Sequence, residues 1–221
     1  MVKKFLWAVL LSFCVLAGLP HASNANVLTS VQSGLDTDPT TWDLGIAASP
    51  GDTLIISAGD TVRFHNQSPS GVNGNQYSVV IIRPGAFANK TGNASAQIKV
   101  ADSLYIGNGG GIIGAGILRA SEGLWIVVDS GSIDSAMQTR IISTPMTVSG
   151  SVGEGKTLGS WHQNNADITI TTGSHIAINR LTKVQDRDVI LESGNPAKSQ
   201  SIRLDIMRGD APNGLNFVQG A

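Results

Sequence analysis

The chain has almost no cysteine: one in 221 residues, Cys14, and that one sits inside an apolar N-terminal run. A fold stapled by internal disulfides is therefore excluded, and stability has to come from core burial and backbone pairing. Also missing, beyond the N-terminal run, is any stretch rich in Leu, Glu and Lys that sustains a period near 3.6. That absence speaks against helical and mixed α/β classes. No run of basic residues occurs, and the formal net charge is −1. Nucleic acid is not an expected partner on that balance. The histidines beyond the N-terminal run, His65, His162 and His175, stand far apart without the spacing of a zinc site. No cofactor is implied.

What is present begins at the N-terminus. Lys3 and Lys4 precede an apolar run from Phe5 to Leu19, broken only by Ser12 and Gly18. Pro20, His21 and small residues follow, ending in Ser23-Asn24-Ala25. This is the three-part layout of a secretory signal, with Ser23 and Ala25 small enough for the −3 and −1 pockets of a signal peptidase. A bilayer span takes about 20 apolar residues, and this run is shorter. Cleavage is expected after Ala25, with Ala22 as the alternative. Phe13 before Cys14, and the apolar residues after it, argue against lipid attachment. Without Lys3 and Lys4, the 15 basic residues fall to 13 against 16 acidic ones. With no second long apolar segment, the remainder is expected to be a secreted domain (periplasmic, cell-surface or extracellular) with no membrane span.

After the signal, short β-branched runs recur between glycine turns. Leu54-Ile55-Ile56, Val79-Val80-Ile81-Ile82, Trp125-Ile126-Val127-Val128, Ile168-Thr169-Ile170-Thr171 and Val189-Ile190-Leu191 each read as a strand bounded by breakers. A phrase repeats: apolar strand, glycine turn, apolar residue. Its glycines are 59, 85, 110, 131, 150, 173 and 194, separated by 26, 25, 21, 19, 23 and 21 residues. A recurrence of about two dozen residues falls in the range of solenoids. It suits one coil of a parallel β-helix, in which glycine takes the corner that needs a positive φ. Coils stacked about 4.8 Å apart would share continuous apolar columns. The expected fold is all-β, a right-handed parallel β-helix with an N-terminal cap. A β-sandwich or jelly roll, which also spaces short strands regularly, is the alternative. The organisation read from this is a signal peptide at 1–25, a cap and first coil at 26–58, and further coils at 59–221.

The opening of the mature chain has its own grammar: Ser33-Gly34, Asp38-Pro39-Thr40-Thr41-Trp42, Pro50-Gly51-Asp52-Thr53-Leu54-Ile55-Ile56 and Ala58-Gly59-Asp60-Thr61-Val62. This resembles the opening of secreted bacterial β-helical proteins with an eight-glycine extracellular domain, over roughly Leu28 to Val62. Leu35 stands where the first Trp of that pattern is usual, and Asp60 where His often sits. The resemblance implies a capped solenoid in an extracellular protein that handles or binds polysaccharide. Trp42 is expected in the cap or core. Asp52 and Asp60 are expected to close turns through side-chain hydrogen bonds.

Parallel β-helices also host pectate lyases and polygalacturonases, so their residues bear on the reading. The chain has no Asp-Asp pair and no Gly-His-Gly, and Gly173-Ser174-His175 is only a partial echo. Asp186-Arg187-Asp188 is the densest charged spot; on a strand, Asp186 and Asp188 would share one side. Trp161-His162-Gln163-Asn164-Asn165 reads as a loop leaving the solenoid, with an aromatic face and amides suited to sugar. The candidate ligand contacts are therefore Trp161, His162, Asn164, Asn165, Asp186 and Asp188. The expected function is a non-enzymatic surface or adhesin-like module with polysaccharide or cell-surface glycan as partner. A small polysaccharide-active enzyme of the pectin-lyase-like type is the alternative. An uncovered last coil would also invite end-to-end self-association.

Overall fold

A strand that buries every second side chain leaves its backbone groups to be satisfied sideways. In a chain whose apolar phrase returns every two dozen residues, the nearest matching strand is the previous copy of the same phrase. The computed structural model describes residues 25–65, 76–90, 97–120, 123–142, 144–164, 166–171, 173–183, 189–191, 201–209 and 217–219. Its strands are β1 (Val27–Thr29), β2 (Gly34–Leu35), β3 (Thr53–Ile56), β4 (Thr61–Arg63), β5 (Gln76–Ile82), β6 (Phe87–Lys90), β7 (Gln97–Ile106), β8 (Gly111–Gly114) and β9 (Gly116–Ala120). They continue as β10 (Trp125–Ile142), β11 (Met146–Val152), β12 (Leu158–Asn164), β13 (Ile168–Ile170), β14 (His175–Lys183), β15 (Val189–Leu191), β16 (Ser201–Gly209) and β17 (Phe217–Gln219).

These strands stack as three parallel ladders. The first runs β1–β3–β5–β7–β10–β11–β13–β15–β17. The second runs β2–β4–β6–β8 to Ser132 and Ile133 of β10, and on to Leu158 of β12. The third joins the start of β5 and of β7 to β9, the end of β10, β12, β14 and the end of β16. Long strands such as β10 turn a corner and serve more than one ladder. The single antiparallel contact among the described residues is the isolated bridge Ser30–Trp42. The protein is a parallel β-solenoid, and the sandwich alternative, which needs antiparallel layers, is excluded.

The interior follows from the register. Leu28, Leu54, Val80, Leu104, Ile126, Val148 and Ile170 occupy successive rungs of the first ladder and are all buried. Val62, Ala88, Ile112, Ile133 and Leu158 do the same in the second. Ile98, Leu118, Thr139, Trp161 and Leu181 do so in the third. Each fully buried aliphatic side chain contributes about 1.5–3 kcal/mol, and it contacts the rungs on either side, so coils stabilise one another.

The corner glycines divide into two kinds. Gly59 and Gly85 have φ of +85° and +69°, as the repeat predicts. At the next corner the left-handed residue is Gly109, not Gly110. One corner further on it is Ser130, not Gly131. The register explains the change. Four residues, 107–110, separate Ile106 from Gly111, but only three, 129–131, separate their partners Val128 and Ser132. Gly131 then serves close packing: a Cβ there would lie 2.3 Å from Ile106 Cγ2. Gly194 lies outside the described residues.

The N-terminal end is closed by the segment after β1. Asp43 N donates to Thr29 O (2.9 Å), Thr29 N donates to Asp43 Oδ1 (3.0 Å) and Val31 N donates to Thr41 O (2.9 Å), which occupies the outer edge of the first strand. Trp42 is buried beneath this cover, its Nε1 donating to Asp36 O (2.9 Å). Asp36 itself is fully buried and accepts from Tyr77 Oη (2.8 Å) and His65 N (2.9 Å). Beside it Lys90, also fully buried, donates to Phe64 O (2.9 Å) and His65 O (3.1 Å). Burial pushes the Lys90 ammonium below its ordinary pKa, and the Asp36 carboxylate opposes that shift. Asp52 accepts from Ser49 N (2.8 Å) within its turn and from Asn26 N (2.7 Å) across coils. Asp60 accepts from Ser30 Oγ (2.6 Å) and so ties two coils together rather than closing its own turn.

Two stability outcomes follow from this packing. Gly59→Ala meets no neighbour and pays only for its left-handed backbone, about 1–2 kcal/mol. Gly150→Ala adds to a φ of +92° a Cβ placed 1.9 Å from Val128 O, which would force two rungs apart. Urea unfolding followed by circular dichroism should place Gly150→Ala well below Gly59→Ala; equal midpoints would contradict the close approach. By the same assay Asp36→Ala should cost about 1–3 kcal/mol, because it removes the buried carboxylate that accepts from Tyr77 Oη and His65 N. A loss under about 0.5 kcal/mol would contradict a fastening role for these two hydrogen bonds.

Candidate binding faces

Strand alternation decides which of the sequence-derived site residues can meet a ligand. The loop expected around Trp161 is instead part of β12, in register with β10 and β14. Trp161 and Gln163 point inward, at 1% and 0% exposure, while His162 and Asn164 point outward and are half-buried. Trp161 fills the column between Thr139 and Leu181, its Nε1 donating to Leu158 O (3.0 Å). It is a core residue and offers no surface to sugar. The misreading has a physical source: Trp-His-Gln-Asn-Asn carries no β-branched residue, and its strand character comes from the neighbouring rungs. Asn165, Asp186 and Asp188 lie outside the described residues.

His162 belongs to a line of basic residues. On the outward side of the third ladder, Lys99, Arg119, Arg140, His162 and Thr182 are paired rung to rung. Lys99 is nearly covered, Arg119 is exposed, and Arg140 and His162 are half-buried. Arg180, paired with Ser160, stands in the adjoining column. Arg140 Nε donates to the neutral amide of Gln138 (2.8 Å). Arg180 Nε has no acceptor among the described residues. Burial, and then the Arg140 charge, hold His162 below the usual histidine range. Burial and Arg119 lower Lys99 in the same way. These residues are 20 to 22 positions apart in the chain. The signal that would have found them is a basic residue recurring at the solenoid period, which is visible only once the register is known.

The outward side of the first ladder has another character. Ile55, Ile81, Tyr105, Val127 and Ser149 form one column; Thr53, Val79, Ser103, Trp125, Thr147 and Thr169 form the next. Trp125 is 49% exposed, and its Nε1 donates to Ser149 Oγ (2.9 Å), which fixes the indole to the sheet. The sequence had marked Trp125-Ile126-Val127-Val128 as a strand, and period-2 alternation sends Ile126 and Val128 in and Trp125 out.

A hollow of about 420 Å³ opens at the corner of the second ladder, walled by Phe87, Ile113, Ser132, Asp134 and Lys156 among others. Among the described residues that line it, Asp134 is the one carboxylate, and glycoside hydrolysis uses a pair. Among the described residues, no three His, Cys, Asp or Glu side chains gather as a metal site would require. Comparison with protein-family models, curated proteins and solved structures finds no match to the chain.

The depressed His162 pKa fixes a pH response. The unfolded chain, with histidine titrating near pH 6.5, takes up a proton that the folded chain resists. Stability contributed at this site is therefore full above about pH 6.5 and falls as the pH drops below it. His162→Gln should lose less thermal stability between pH 7.5 and 5.5 than the parent chain. Parallel curves for the two would contradict the assignment.

Proposed function

We propose that the chain is an exported, non-enzymatic β-solenoid that binds glycan on the outer side of its first ladder, with Trp125 as the platform. The carrying observation is Trp125 itself: a large aromatic held half exposed by a hydrogen bond, beside Tyr105 and flanked on neighbouring rungs by Ser103 and Thr147. A pyranose presents apolar C–H faces and peripheral hydroxyls. A fixed ring with hydroxyl side chains around it offers contact to the first and hydrogen bonds to the second. The signal-like N-terminus and the resemblance of residues 28–62 to capped extracellular solenoids support the same reading. An adhesin-like role fits a face whose side chains line up rung over rung.

The test is binding of the mature chain to a panel of neutral polysaccharides, with Trp125→Ala as the variant. Affinity should fall at least tenfold, about 1.4 kcal/mol, while the unfolding midpoint changes little. Undiminished binding by Trp125→Ala would overturn the platform. Release of reducing or unsaturated ends from any polysaccharide would replace the binding reading with the enzymatic one.

A further inference from the structure

The basic line on the third ladder needs its own explanation. Parallel pairing sets Arg119, Arg140 and His162 on consecutive rungs about 4.8 Å apart, with Arg180 one rung further on in the adjoining column. Like charges so close repel, and their separations lie within the screening length of about 8–10 Å at physiological salt. A protein normally relieves such a line by interleaving carboxylates. Here, among the described residues, Arg119, Arg140, His162 and Arg180 have no carboxylate in ion-pair contact. The groups facing His162 are Arg140 on β10, Thr182 and Arg180 on β14, and Ser160 and Asn164 on its own strand. None is acidic.

We propose that this face is a second binding site, distinct from the Trp125 face, and that it takes a linear carboxylated or sulfated polysaccharide lying along the stacking axis. Arg119 and Arg140 supply planar, forked donors that match carboxylate and sulfate oxygens. His162, neutral in the free protein near pH 7, gains a proton as an anion settles beside it, so affinity rises as the pH falls. Asn164 and Ser160 supply neutral hydrogen bonds to hydroxyls between the charged groups. Two features favour polysaccharide over nucleic acid. Single-stranded nucleic acid sites pair their basic track with aromatic platforms for the bases, and the outward positions described on this face carry no Phe, Tyr or Trp. The chain as a whole also has no basic excess.

The experiment measures binding of the mature chain to polygalacturonate, heparin, neutral dextran and a dT oligonucleotide at 50 and 300 mM NaCl, at pH 7.5 and 5.5. The expected result is salt-sensitive binding to one or both acidic polysaccharides, tighter at the lower pH, and none to dextran at this face. Arg119→Gln/Arg140→Gln should weaken acidic-polysaccharide binding at least tenfold. Trp125→Ala should leave it unchanged, which separates this proposal from the glycan platform on the first face. His162→Gln should keep binding at pH 7.5 and lose the gain at pH 5.5. If the double variant does not fold, Arg119→Glu alone, at an exposed position, carries the same expectation. The proposal is overturned if neither acidic polysaccharide binds, if the arginine variants bind as the parent does, or if the oligonucleotide binds more tightly than both polysaccharides.

Discussion

Everything else in this molecule depends on strands being paired in phase with their own earlier copies. In-register parallel pairing satisfies the backbone of one coil with the backbone of the next, about 4.8 Å away, and it forces each side chain to stand directly over its counterpart. Inside, that stacking converts scattered Leu, Ile and Val into three continuous columns. Outside, it does the same to whatever residue the chain places at the corresponding position. A slip of one residue would send every side chain of a coil to the opposite face, so the buried columns hold the register of the exposed ones. Core and surface are in this sense one decision. The Ile126 and Val128 that anchor a rung inside are what aim Trp125 outward.

A stack of this kind is weakest at an end, where a strand edge has no partner. The first edge is met by antiparallel hydrogen bonds from residues 41–43, a direction used nowhere else among the described pairings. The polar cluster beneath is costly by itself. Asp36, Tyr77 and Lys90 are buried where most positions are aliphatic. Each finds a partner supplied by a different coil, and so the cluster fastens the cap to the coils below it. That linkage is specific in a way that apolar contact alone is not: it demands one alignment of residues 36, 65, 77 and 90.

Much of the fold was legible because it is written in local chemistry. A glycine turn after a β-branched run is readable at Gly59 and Gly85, and the recurrence of that phrase names the solenoid. The cap was legible at Trp42, and so was Asp52 as a turn residue. Failures arose where the deciding contact is one coil away. Gly110 and Gly131 look like corner residues, yet Gly109 and Ser130 take the left-handed conformation because the corner between the first and second ladders shortens by one residue. Trp161 looks like a surface aromatic among amides, yet it stacks on Thr139 and Leu181. The basic line was invisible for the same reason, since Arg119, Arg140 and His162 are distant in the chain and adjacent only in register.

A solenoid also changes what a single substitution means for binding. On an ordinary surface, three basic residues 21 and 22 positions apart would sit in unrelated places, and their sum would be only a net charge. Here the coil length carries them onto one line. The chain therefore tunes a linear surface by choosing one residue type per coil, without altering the fold. The two proposed faces differ in that choice alone. One lines up aliphatic, aromatic and hydroxyl side chains, the other lines up two guanidinium groups and one imidazole, and the same ladder geometry spaces both. The partner proposed for both faces is an extended polymer, because its own repeat could meet several rungs at once and gain from each weak contact. In both proposals, effective concentration along the stack would do the work that a deep pocket does elsewhere.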